Sequence, residues 1–156
     1  MTDIKTQDPF EIFPHGVTVG LDSSRPVLIF RGKDRERVVP VYLSQLEAGI
    51  AITQDHSRQA PQSPHRLARM ALEMLGVKPA RCTFVELRGH HQYVEVNFEG
   101  SEQLHKIRLR ADQAVSFCLH ASVPFFCSVE FFEQCRRLPF VQFDLHGGPN
   151  VHPYLN

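Results

Sequence analysis

Two sets of residues in this chain have the types and spacing to do chemistry. The first is four carboxylates, Glu47, Glu86, Glu95 and Asp112. Carboxylate oxygens are hard ligands, and two or more that converge can hold Mg²⁺ or Mn²⁺ and activate a bound water. The second is the cationic row of "KIRLR", where Lys106, Arg108 and Arg110 recur at every second position. That period puts all three on one face of a strand, and arginine forks grip oxyanions such as phosphate with two parallel hydrogen bonds. Each set also has a purely structural reading. Glu47 follows Ser44 by three residues, the capping-box spacing, Asp112 can cap a following helix, and Glu95 can pair across a sheet with Lys106 or Arg108. Such cross-strand pairs are worth roughly 0.2–1 kcal/mol each.

The elements that must position these groups follow from periodicity. "GVTVGLDS", "PVLIFRG" and "ERVVPVYLS" read as strands after an irregular start, the last two joined by the turn "GKDRE". A helix is predicted from Gln45 behind the Ser44 cap. A second is predicted over 64–75, where Leu67, Met70, Ala71, Met74 and Leu75 form one apolar stripe that assigns both methionines to the core. Gly76 stops it. Three alternating strands follow, with Val85, Leu87, Val94, Val96, Phe98, Ile107 and Leu109 expected on the buried side. Glu86, Arg88, Tyr93, Glu95, Asn97, Glu99, Lys106, Arg108 and Arg110 then share the other side. A helix over 113–121 that buries Phe117, a short strand "PFFCS" and a helix "VEFFEQCRR" complete the set. The expected fold is α+β: one compact domain, a mixed or antiparallel sheet packed with three to four helices.

Composition limits the partners. Seventeen basic residues balance seventeen acidic ones in 156, so any nucleic-acid binding must come from a local patch. Four cysteines without paired spacing and a start without a signal-peptide pattern predict a reduced, cytoplasmic protein. No apolar run approaches the roughly 20 residues of a spanning helix, so no membrane partner is expected. His90–His91 reads as a hairpin tip, and His146 and His152 flank a Gly-Pro turn without zinc-site spacing. No Ser-His-Asp order, phosphate-cradling glycine loop or reactive-cysteine motif stands out.

Three segments in order, "VPVYLSQLEAGIAI", "SPHRLARMALEMLG" followed by "FVELRGHHQYVEV", and "KIRLRADQAVSFCLHASVPFF", together resemble the bifunctional nuclease domain family of bacteria and plants, over about residues 16–136. The matching positions are Pro40, Val41, Tyr42, Leu43, Glu47 and Ala48 in the first, His65, Leu67, Glu86, Leu87 and Tyr93 in the second, and Arg110 and Ala114 in the third. The resemblance implies hydrolysis of DNA or RNA phosphodiester bonds. Glu47, Glu86, His65 and Asp112 are the candidate catalytic groups, Arg108 and Arg110 contact nucleic-acid phosphates, and Mg²⁺ or Mn²⁺ is the candidate cofactor. His65, at a helix start, would serve as an acid, a base or a phosphate ligand, unless it is simply a hydrogen-bonded helix-start histidine. Arg108 and Gln113 stand where the family carries acids, and Arg66 replaces the aspartate of its His-Asp-Leu helix, so cleavage is expected to be weak or absent. The alternative is a non-catalytic binding or assembly module on the same fold.

Residues 1–15 read as an N-terminal segment and 137–156 as a C-terminal extension. In the extension Val141, Phe143 and Leu145 alternate with Gln142 and Asp144, a half-buried strand pattern expected to pack on its own domain or on a neighbouring subunit of a homo-oligomer.

Overall fold

A computed structural model describes residues 7–19, 25–56, 63–137 and 152–153. The chain opens with β1 (Phe10–Val19), β2 (Pro26–Gly32) and β3 (Val38–Tyr42), an antiparallel meander. Its second turn is closed by the Gly32 N–H donating to the Arg37 carbonyl at 2.8 Å, with Asp34 accepting from Arg37 Nε at 2.7 Å. The first strand begins at Phe10, ahead of the Gly16 start expected from sequence. A register shift between Pro14 and Gly16 explains the difference, since a bulge breaks the alternation that would have marked the strand.

Helices α1 (Gln45–His56) and α2 (Pro64–Met74) follow, then a second antiparallel meander of β4 (Lys78–Arg88), β5 (His91–Glu99) and β6 (Lys106–Arg110). After α3 (Ala111–His120) comes the three-residue strand β7 (Phe125–Cys127), and after it α4 (Val129–Arg137) and β8 (His152–Pro153). The strand order is β3-β2-β1-β7-β4-β5-β6, with β8 paired to β1 beyond the stretch that β7 occupies. β7 runs antiparallel to β1 and parallel to β4, so the sheet is mixed and the fold is α+β. The sheet curls enough that β5 meets the edge strand β3. Buried Gln92 donates through Nε2 to the Pro40 carbonyl at 2.7 Å and accepts from the Tyr42 N–H at 3.2 Å, satisfying groups the edge would otherwise leave open.

The concave side holds the core. Phe30, Phe84 and Phe125 form a ring cluster that Phe131 of α4 extends, and Val94, Val96, Val115 and Cys118 fill the space beneath α3. All four cysteines are free and buried. A hydrogen bond with the Cys118 thiol, together with burial, pushes the Cys82 pKa up, and burial raises that of Cys135 to about 11. Among the described residues no helix is long and apolar enough to cross a membrane.

Three expectations are corrected. The strand β4 turns Cys82 and Phe84 to the core, because a bulge between Phe84 and Glu86 interrupts the alternation that had assigned Val85 there. Phe117 is only partly buried, at the border between α3 and α2. The α2 stripe is not core at all: the helix buries no residue, and Leu67, Met70, Met74 and Leu75 are 71%, 46%, 87% and 74% exposed. Helical period identifies a stripe but not the direction it faces, and here the half-buried side is His65, Arg69 and Leu72. The alternating residues 139–145 lie outside the described residues.

Candidate nucleic-acid interface

The β4 bulge has a direct effect on the charged face. In unbroken alternation Glu86 would point inward with Phe84; the extra residue, Val85, turns it outward, opposite Tyr93 of β5, which in turn pairs with Arg110 of β6. Glu86 then accepts from Arg88 Nε at 3.1 Å and Arg88 Nη2 at 3.0 Å, and its second oxygen accepts from Arg108 Nη2. Both guanidinium carbons lie 5.9 Å from the Tyr93 ring centroid, within the range of cation–π attraction. The result is an aromatic ring between two arginines that share one carboxylate. Farther along, Lys106 Nζ stands 3.1 Å from Glu95.

Where β6 gives way to α3, the sequence reading needs correction. Arg110 occupies the N-cap with φ −68° and ψ 141° and makes no side-chain capping bond, so Asp112 is not the cap but sits in the first helical turn. There it receives Arg110 Nε at 3.0 Å and a second bond from Arg110 Nη2, a two-pronged pairing. Arg25, just ahead of β2, adds a second cationic group 3.6 Å from Asp112 and lies over the Tyr42 ring at 5.6 Å. Burial pushes the Tyr42 phenol above its ordinary pKa, and the positive charge of Arg25 opposes that shift. Four guanidiniums (25, 88, 108, 110) against two carboxylates (86, 112) leave a local excess of two positive charges. Of the flanking groups, Arg88 is the most open, its side chain 72% exposed, while that of Asp112 is 17% exposed.

Glu47 and His65 meet elsewhere, between α1 and α2. Ser44 Oγ accepts from the Glu47 N–H at 3.1 Å, the forward half of the predicted cap, and the Glu47 carboxylate stands 3.3 Å from His65 Nε2. Ser63 caps α2 with Pro64 at its first turn, which fixes His65 there. The His65 ring also faces Phe117 at 6.2 Å, and the His65 and Glu47 side chains are only 13% and 18% exposed.

The six candidate residues therefore fall into three pairs: Glu47 with His65, Glu86 with Arg108, and Asp112 with Arg110. Among the described residues no three His, Cys, Asp or Glu side chains gather as a metal-holding group. Sequence reasoning missed Arg25 as a site residue. Its contact with Asp112 is between residues far apart in the chain, and no local pattern around "SRPV" signals it. Comparison with protein-family models and with curated proteins gives no match.

Proposed function

We propose that the protein is a nucleic-acid-binding module that holds single-stranded DNA or RNA by its phosphates across the β4–β5–β6 face. The observation that carries this reading is Tyr93 between Arg88 and Arg108. Arginines beside a partly exposed ring are the two parts a single-strand platform needs, one for the backbone and one for base stacking. Phosphate contacts carry no base information, so the binding is sequence-independent and salt-sensitive. A cytoplasmic setting fits the four free thiols.

Phosphodiester hydrolysis, which the family resemblance implies, is weak or absent in this reading. Each candidate carboxylate already faces a cationic or imidazole partner, and cations beside a would-be metal site oppose its occupation. The test is fluorescence anisotropy with labelled oligo-dT and oligo-U over a salt series, run beside a cleavage assay in Mg²⁺ and Mn²⁺. Binding that weakens with salt, and weakens further in Arg88→Ala and Arg108→Ala, supports the proposal. Vigorous metal-dependent cleavage abolished by Glu47→Gln or Glu86→Gln replaces it with the nuclease reading.

A further inference from the structure

Helix α2 is mounted with its apolar side to solvent. Leu67, Met70, Met74 and Leu75 project outward with the small Ala68 and Ala71 among them, and Leu46 of α1, 72% exposed, lies one residue before the Glu47 that touches His65. Scattered exposed leucines need no explanation, but a contiguous stripe along a whole helix does. Strengthening the helix cannot be its purpose, because a solvated stripe contributes little there; it needs something to cover it.

We propose that this face is covered by the α2 of a second copy of the chain, in an antiparallel two-fold pair. Three features of the helix are self-complementary under that symmetry. The first is charge. Arg66 and Glu73 are seven residues apart, so at 3.6 residues per turn they fall within about 20° of each other on the same border of the stripe. A two-fold axis perpendicular to the helices keeps that border on the same side while reversing direction, which brings Arg66 of each copy level with Glu73 of the other. Glu73 is open to this contact: its side chain is 62% exposed although Arg69 stands 3.4 Å away.

The second feature is shape. A shallow groove of about 540 Å³ lies beside the N-terminal half of α2, lined by Ser63, Pro64, Arg66, Leu67 and Met70. The two most protruding side chains of the helix, Met74 and Leu75, lie at the opposite end. The same axis carries the protruding end of one copy over the groove of the other, and it does so twice. The third is approach. Ala68 and Ala71 leave room between the larger side chains for the helices to come close, and with balanced formal charge the copies carry no overall repulsion.

An 11-residue helix is about 16 Å long. Its face, even with Leu46, is smaller than the roughly 800 Å² per partner of a standard stable interface. The dimer is therefore reversible and concentration-dependent. Sedimentation equilibrium on the full chain should show a monomer–dimer equilibrium, and Met74→Glu or Leu67→Glu should weaken dimerisation at least about tenfold. Both side chains are exposed in the single chain, so neither variant should change the melting temperature measured where the wild type is monomeric. Arg66→Glu should weaken the dimer and the exchange Arg66→Glu with Glu73→Arg should restore it, which a parallel pair or a different partner would not produce. A mass that stays monomeric up to about 1 mM, or a dimer indifferent to Met74→Glu, overturns the proposal. So does a monomer that Met74→Glu destabilises, because the stripe would then be covered from within the same chain.

Discussion

Glu86 of β4 and Arg108 of β6 are joined across the intervening strand, over the ring of Tyr93. Strands two apart are separated by about 9.6 Å, so only long side chains can close that span, and closing it holds both flanks of the ring in place. Glu86 thereby acts on the face in two opposing ways: it orders Arg88 and Arg108, and it neutralises part of their charge.

Replacing Glu86 by Gln should therefore tighten nucleic-acid binding and steepen its salt dependence, because two guanidiniums lose a competing anion. Stability should change little, since partly exposed pairs of this kind contribute about 0–1 kcal/mol. Anisotropy titrations at two salt concentrations and a urea melt measure both. A nuclease using Glu86 would instead lose activity in the same variant, so one substitution separates the two functions.

Tyr93→Ala should cost about 1–3 kcal/mol of single-strand affinity through lost stacking, whereas Tyr93→Phe should retain most of it. Competition between single-stranded and duplex oligonucleotides is the check. Equal losses on both, or a Tyr93→Phe variant as weak as Tyr93→Ala, would mean that the ring does not stack on bases.

Acidification should destabilise the fold. His120 is held below its ordinary pKa near 6.5 by burial first, then by the charges of Arg69, His65 and Arg66; burial, Arg31 and Arg35 do the same for His15. The unfolded chain thus binds protons that the folded chain refuses. The stabilising contribution is complete above the unfolded value and declines as pH falls through it toward the folded one. Urea midpoints should drop between about pH 7.5 and about pH 5.5, and His120→Gln should flatten the slope. An unchanged slope would show that His120 contributes nothing to it.

Gly100→Ala should be among the costliest single changes. Gly100 has φ +89°, and an added Cβ would come within 2.0 Å of the Gly76 carbonyl oxygen, a backbone atom that cannot swing aside. The clash adds to the strain of a left-handed residue, and a loss of about 2–3 kcal/mol is expected. The midpoint of chemical unfolding measures it; Gly89→Ala, at φ +60° with nothing within 4 Å, is the milder control.

Much of this fold is legible in the sequence because its signals are local. The 26–42 hairpin, the Ser44 cap of α1 and the helix over 129–137 each appear where their own residues place them. What escapes depends on neighbours. One inserted residue at Val85 decides which side Glu86 faces, and alternation alone offers no warning of it. The α2 stripe was clear but its direction was not, because that depends on what α3 presents beneath it. Within the site, sequence correctly put Glu86, Tyr93, Arg108 and Arg110 on one charged face; the arginine partners of Glu86 and Asp112 depend on side-chain reach, which alternation does not encode.

The strand β7 has a further consequence, for the order of assembly. Among the described residues, two three-stranded meanders, one from each half of the chain, meet in the sheet only through these three residues, Phe125–Cys127. As the chain leaves the ribosome, the first meander therefore carries the open β1 edge at 10–12 until residues 125–127 have emerged. Over that interval the nascent chain presents an unsealed ribbon, and a late tripeptide acts as the zip between two ready-made halves.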